Sequence, residues 1–209
     1  PNSEGVAGNP SPVTAYGVYC GLKACAKNVF GSADLKGRKV AIQGLGAVGY
    51  ALAQYLTKEG AEIIVADIHP ASLERAKMEF GSLVTIGDAS DIHAQDVDIF
   101  APCALGAGLN DVTIPHIKAK IIGGAANNQL SEARHDMVLT ERGIIYAPDY
   151  AINSGGITSV GYEYFDRTGR NPYAYPLTRA RMNAHVEGIG QTLENIFEIS
   201  TTFKQVNVL

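Results

Sequence analysis

A chain of 209 residues with 46% hydrophobic and 18% charged residues is large enough to bury about 70% of its unfolded surface, so it needs no metal or disulfide staple to fold. Its net charge of −4 and its lack of any Lys/Arg-rich run exclude the electrostatic grip of a nucleic-acid binder. Apolar runs such as Ile63-Ile64-Val65 stop far short of the ~20 residues that a membrane helix requires. Three cysteines, Cys20, Cys25 and Cys103, are an odd number without CxxC spacing, which fits reduced thiols and a cytoplasmic setting. The start, Pro1-Asn2-Ser3-Glu4-Gly5, has neither the basic nor the apolar stretch of a secretory signal.

In chain order, a first helix is expected from about Ser11 to Phe30, with Ser11 as its cap and Pro12 in its first turn. Lys39 to Gln43 reads as a buried strand, followed by a helix that places Val48, Ala51, Leu52, Tyr55 and Leu56 on one face. A second strand is expected at Glu62 to Ala66, then a helix from Pro70 toward Phe80 that Gly81 stops. Further strands are expected near Leu83-Val84-Thr85, Asp98-Ile99-Phe100, Ile121-Ile122-Gly123 and Ile144-Ile145-Tyr146. A last helix carries Met182, Val186, Ile189, Leu193, Ile196 and Phe197 at steps of three and four. Apolar strands alternating with helices define an α/β class: a doubly wound, Rossmann-type, mainly parallel sheet, covered on both faces and flanked by N- and C-terminal helices. The polar break Asp166–Pro172 is too short to divide the chain, so residues 1–209 read as one domain.

The informative motif is Gly44-Leu45-Gly46-Ala47-Val48-Gly49, a G-x-G-x-x-G directly after the first strand and at the start of a helix. Gly44 permits a tight turn, Gly46 lets a pyrophosphate approach bare backbone, and Gly49 lets helix and sheet pack closely. The N–H groups of the helix start, at Ala47 and Val48, would face the phosphates. Asp67 ends the second strand, where a carboxylate can accept from both ribose hydroxyls, with Ile68 beside it. No Arg or Lys follows before Arg75 to offset an additional 2′-phosphate, which favours NAD over NADP. S-adenosylmethionine enzymes use a related turn and acid and are the competing class here.

Two later stretches, Gly123-Gly124-Ala125-Ala126-Asn127-Asn128-Gln129 and Ala147 to Gly156, each follow a strand and therefore line the same crevice. Amide side chains there suit a carboxamide such as nicotinamide, although Asn153 is also a helix-cap candidate. Tyr19 and Lys23 form Tyr-x-x-x-Lys, the spacing of a short-chain dehydrogenase acid/base pair, but ahead of the first strand, where it reads as a helix face. The histidines (His69, His93, His116, His135 and His185) show no i, i+4 pairing, so a metal centre is not expected. Cys103, after Pro102 at a strand end, reads as a packing residue rather than a nucleophile.

Taken with Gly8-Asn9-Pro10-Ser11-Pro12-Val13-Thr14-Ala15-Tyr16-Gly17-Val18, Asp98 to Gly106 and Tyr146-Ala147-Pro148-Asp149-Tyr150, these stretches make the chain resemble the nucleotide-binding domain of the glutamate/leucine/phenylalanine/valine dehydrogenases, and most of all its leucine branch. The resemblance implies oxidative deamination of an aliphatic L-amino acid to its 2-oxo acid and ammonia, with hydride passed to NAD. It implies that Thr14 bonds the nicotinamide carboxamide, that Gly44, Gly46 and Gly49 hold the pyrophosphate, and that Asp67 holds the ribose. Cys103, Ala104 and Leu105 would flank the adenosine, and Asn127 and Asn153 the nicotinamide. Asn127, Asn128, Ile157 and Val160 would meet the substrate, the last two suiting a branched side chain. The family's catalytic lysines and aspartate belong to a preceding domain, so no catalytic residue is expected in this chain. It reads as an excised cofactor domain, inactive alone, from a homo-oligomeric parent. The remaining alternatives are a stand-alone NAD(H)-binding or redox-sensing module, or a dehydrogenase of phenylalanine, valine or glutamate.

Overall fold

The computed structural model describes Val6 and residues 8–206, without side chains from 201 onward. Helix α1 (Ser11–Phe30) precedes strand β1 (Lys39–Gln43), α2 (Ala47–Glu59), β2 (Glu62–Ala66), α3 (Pro70–Phe80), β3 (Val84–Ile86) and β4 (Ile99–Pro102). Then follow β5 (Ile121–Ile122), α4 (His135–Glu141), β6 (Ile145–Tyr146), the one-turn α5 (Asp149–Ile152), α6 (Gly155–Thr168) and α7 (Arg179–Val206). The strands form one parallel sheet in the order β3-β2-β1-β4-β5-β6. Crossovers run one way from β1 through β2 to β3 and the other way from β4 to β6. The β1/β4 boundary is therefore the switch point where open α/β sheets hold ligands.

Period-two alternation sorts the strand side chains between two cores. Val40 and Ile42 of β1, and Ile99 and Ala101 of β4, face a core built with α1, α2, α3 and α7. Ala41, Phe100 and Ile122 face the opposite side, which Ile92, Ile114, Ile117 and Leu139 cover. Both faces are thus buried, as the apolar strands predict. The second cover consists of short 3-10 turns at Ile92–Ala94 and Ile114–His116 and the two-turn α4 rather than long helices.

The long α1 packs on α2, α6 and α7. Gly17 and Gly21 form the close seam: a Cβ at Gly21 would lie 2.6 Å from Ile152 Cγ1 and 2.9 Å from Leu193 Cδ1. Around that seam Tyr16 donates to Glu187 at 2.6 Å and Lys27 pairs with Glu194 at 2.8 Å. The apolar stripe expected on the last helix is the α7 side of this contact, with Met182, Val186, Ile189, Leu193 and Phe197 buried.

The Tyr19–Lys23 pair serves the fold. The Tyr19 hydroxyl donates to Glu59 Oε2 at 2.5 Å, Lys23 Nζ reaches Glu59 Oε1 at 2.7 Å, and the Leu35 N–H donates to the same oxygen at 3.1 Å. Glu59 thereby ties α1, the end of α2 and the entry to β1 together. The expected cap of α1 is corrected: Ser11 is already helical, and its N–H is taken by Asn9 Oδ1 at 3.0 Å. An Asx turn from upstream satisfies the free N–H first. Among the described residues no helix is long and apolar enough to cross a membrane.

Candidate functional site

The glycine turn sits where β1 ends at the switch point, and its three glycines have separate reasons. Gly44 takes φ 94°, in the left-handed region, and a Cβ there would meet Ala104 Cβ at 2.9 Å. A Cβ on Gly49 would fall 2.0 Å from the Gly44 carbonyl oxygen, so α2 can start this close to β1 only without one. Gly46 differs: it is exposed, and a Cβ there would meet nothing within 4 Å. Nothing in the chain demands a glycine at 46. The open space above it is where a bulky anion can reach the backbone.

Helix α2 has no side-chain cap, and its Tyr50 N–H donates to Gly46 O at 2.9 Å. Helical geometry therefore leaves the N–H groups of Ala47, Val48 and Gly49 without helical acceptors. With the helix dipole they form a positive end at the exposed mouth of the turn.

Asp67, half-buried at the end of β2, faces this turn. Its Oδ2 accepts the Leu45 N–H at 2.6 Å and its Oδ1 the His69 N–H at 2.7 Å. Each oxygen keeps further lone-pair capacity for an incoming hydroxyl. The nearest downstream cation, Arg75, stacks over the Tyr50 ring at 3.9 Å. β2 and β4 flank β1, so Ile68 and Leu105, 81% and 86% exposed, stand on either side of the turn. Large apolar side chains this exposed at a crevice are what a flat ligand would cover. Cys103 is half-buried below Ala104, and burial pushes its thiol up to about 11, which removes it as a nucleophile.

Across β4 and β5 a cavity of about 370 Å³ is lined by Thr14, Val48, Ala125, Asn127, Tyr150, Asn153, Ser154, Gly156 and Ile157. The start of α6 reaches it through two glycines. A Cβ on Gly155 would lie 2.6 Å from Val13 O, and one on Gly156 2.7 Å from Thr14 Oγ1. Asn153 Nδ2 donates to Asn127 Oδ1 at 2.7 Å. Asn153 is therefore not the N-cap of α6, a place Ser154 takes; it closes α5 instead, and its amide nitrogen reaches across the cavity wall. Thr14 Oγ1 donates to Pro10 O at 3.0 Å, which leaves its lone pairs as acceptors.

The structure thus brings Thr14, Val48, Asn127, Asn153 and Ile157 into one cavity, with the glycine turn and Asp67 at the adjoining strand ends. Asn128 and Val160 are outside that lining. Asn128 gives its N–H to Asp149 Oδ2 at 2.6 Å instead, and Val160 lies one turn along α6 from Ile157. Tyr150 and Asp149 carried no assigned role in the sequence. Their signal is membership of the Tyr146–Tyr150 stretch, which the fold places in β6 and the short α5. A larger groove of about 450 Å³ lies between α4, β6 and the end of α7, and takes no residue from the glycine turn or the amide pair.

Sequence spacing also concealed a cluster in which donor atoms of Asp111, Glu132 and His135 approach within 4.8 Å of one another. It already contains a cation. Arg134 pairs with Asp111 at 2.5 Å and with Glu132 at 2.8 Å. His135 Nδ1 accepts the Glu132 N–H at 3.1 Å, so its proton is on Nε2, facing Asp111 at 3.2 Å. Both ring nitrogens thus already have partners within the cluster.

The strand order, the switch-point crevice and the glycine turn define a Rossmann-type α/β fold. The family model described as Glutamate/Leucine/Phenylalanine/Valine dehydrogenase matches residues 5–205, and the chain belongs to that family. It is 51% identical over 196 residues to the leucine dehydrogenase of Bacillus subtilis (strain 168), covering 94% of this chain and 50% of that protein. It is 48% identical over 168 residues to the phenylalanine dehydrogenase of Lysinibacillus sphaericus, covering 79% of this chain and 44% of that one. Among solved structures, L-tryptophan dehydrogenase from Nostoc punctiforme superposes with a TM-score of 0.85 at 41% identity, over 95% of this chain and 57% of that one. The chain spans about half the length of the curated relatives it matches.

Proposed function

We propose that this chain is the NAD-binding part of an amino-acid dehydrogenase that oxidatively deaminates a branched-chain, leucine-like L-amino acid. The observation that carries the reading is Gly46: an exposed, sterically unneeded glycine at the mouth of a turn whose other two glycines the fold requires. The cofactor supplies the hydride acceptor, and the chain's residues fit it along the crevice. In the proposal the N–H groups of Ala47, Val48 and Gly49 receive the pyrophosphate, Asp67 receives the ribose diol, and Ile68, Ala104 and Leu105 cover the adenine. The first Arg or Lys after Asp67, Arg75, is stacked on Tyr50 rather than turned to a 2′-phosphate, which favours NAD.

At the other end, the Asn127–Asn153 pair has one amide nitrogen and one amide oxygen engaged with each other. Asn153 Nδ2 also lies 3.4 Å from Ala125 O, so the groups left over are Asn127 Nδ2 as a donor and Asn153 Oδ1 as an acceptor, the complement of a carboxamide, and Thr14 Oγ1 adds another acceptor. These groups orient the nicotinamide ring. Ile157, 71% exposed beside the cavity, and Val160 after it offer aliphatic surface to a branched side chain. That surface, and identity to leucine dehydrogenases, support the leucine-like substrate. A homo-oligomeric, cytoplasmic parent belongs to the same proposal.

The test is titration of the chain with NADH, followed by nicotinamide fluorescence, with NADPH in parallel. Saturable NADH binding, weaker NADPH binding, and NADH binding weakened at least tenfold by Asp67→Ala are expected. Absence of NADH binding at saturating dose overturns the reading.

A further inference from the structure

The dipeptide Asn127-Asn128 is held from two sides by a single turn of helix. α5 spans only Asp149–Ile152, and the residues at its two ends, Asp149 and Asn153, are four apart, with the Asn153 N–H donating to Asp149 O at 3.0 Å. From one end Asp149 Oδ2 accepts the Asn128 N–H at 2.6 Å, a short charge-assisted bond. From the other, Asn153 Nδ2 donates to Asn127 Oδ1 at 2.7 Å. The second Asp149 oxygen receives the Tyr146 hydroxyl at 3.3 Å. Burial, and then the Asp149 charge, raise the pKa of that hydroxyl, so it stays a donor.

The clamped backbone is itself unusual. Asn128 has φ 50°, one of two non-glycine residues among those described with a positive φ, and the other, Ala107, donates its N–H to Asn128 O at 2.7 Å. A left-handed asparagine is tolerated but costs free energy, so something must hold it. Here the holders are the loops after β4 and β6, one on each side.

We infer that Asp149 is a positioning residue: its carboxylate fixes the Asn127-Asn128 turn, and through it the amide pair that would meet the nicotinamide half of a dinucleotide. The inference rests on the crevice reading above. Asp149 touches neither the cofactor nor the substrate in this scheme. It sets where the Asn127 carboxamide stands relative to Asn153. Its effect is confined to one half of the ligand, because the adenosine side is organised by Asp67 and the glycine turn around β1.

That confinement gives the test. Binding of NADH and of ADP-ribose, which lacks the nicotinamide, is measured by calorimetry for wild type, Asp149→Ala and Asp149→Asn, with the fluorescence of bound NADH recorded alongside. Asp149→Ala is expected to raise the Kd for NADH about tenfold and reduce the fluorescence enhancement, while the Kd for ADP-ribose stays within about twofold. Asp149→Asn keeps an oxygen that can accept the Asn128 N–H and is expected to recover most of the NADH affinity. ADP-ribose affinity also marks whether each variant is folded. If Asp149→Ala fails to fold, Asp149→Asn with Asn153→Ala decides: only Asn153→Ala should then lose the NADH preference. Equal losses for both ligands, or no loss for either, overturn the positioning role. A wild-type chain that binds ADP-ribose but gains nothing from the nicotinamide overturns it too, while one that binds neither ligand overturns the crevice reading itself.

Discussion

At the scale of single residues, the glycine turn separates what the fold needs from what a ligand needs. Gly49 has a backbone oxygen 2.0 Å from where a Cβ would lie, whereas Gly46 has empty space. Gly49→Ala is therefore expected to cost about 3 kcal/mol through overpacking against a backbone that cannot rotate away. In a domain of this size that lowers Tm by roughly 6–12 °C. Gly46→Ala sits at φ −65°, ψ −171°, which alanine adopts freely. It is expected to leave Tm unchanged or slightly raised, by reducing unfolded-chain entropy, while NADH affinity falls at least about tenfold, or 1.4 kcal/mol. Thermal melts and a fluorescence titration on the two variants check both, and a Gly46→Ala chain that binds like wild type removes the observation on which the functional reading stands. Asp67 needs more care, because it also anchors Leu45 and His69. Asp67→Asn keeps one of the two acceptor oxygens, so it disturbs the turn less than Asp67→Ala, and a thermal melt beside the titration separates loss of the ribose contact from loss of the scaffold.

At the scale of elements, stability is concentrated where α1 meets its neighbours. Gly21→Ala pushes a methyl group toward Ile152 and Leu193 and is expected to cost about 1–3 kcal/mol. Combined with Leu193→Ala it should cost less than the sum of the single changes, since truncating Leu193 opens room for the methyl, and a denaturation double-mutant cycle reads that coupling. Glu59 adds a pH dependence. Burial raises its pKa, but the hydrogen bonds from Lys23, Tyr19 and the Leu35 N–H outweigh burial and hold it below the ordinary value of 4.5. A carboxyl depressed on folding stabilises above its unfolded value and loses that contribution as pH falls through its folded one. Stability should decline below about pH 4.5, and Glu59→Gln should flatten that part of the profile.

The same scale shows what the sequence could disclose. β1 and β2 are legible to the residue because a β-branched run bounded by polar turns admits few other conformations. The start of α6 is less so: Asn153 offered itself as its cap, but the helix begins a residue later, where Gly155 and Gly156 let it lie against Val13 and Thr14. The glycine turn and Asp67 were readable because their partners are local or one strand away. The Asn127–Asn153 pair and the Asp149 clamp join residues 26 and 21 apart, which no spacing rule encodes.

For the whole molecule, the glycine turn and the amide-lined cavity stand at the same ends of the strands of the six-stranded sheet. Oxidative deamination needs the α-amine neutral before hydride leaves, and then a base to activate water on the iminium. Among the described residues the cavity beside the amide pair is lined by Thr14, Tyr150, Ser154, asparagines and apolar groups, with no carboxylate, lysine or histidine. Those proton transfers therefore find no side chain of these types among the described residues that line the cavity. With saturating leucine and NAD the chain is expected to give no steady rise in NADH absorbance at concentrations where it binds NADH stoichiometrically. The reverse reaction, from a branched 2-oxo acid and ammonium, should be equally silent because it needs the same proton transfers. Sustained turnover in either direction would place a proton-transferring group inside this chain, and the exposed face of α6 beyond Val160, where Tyr164 stands, would be the first place to look for it.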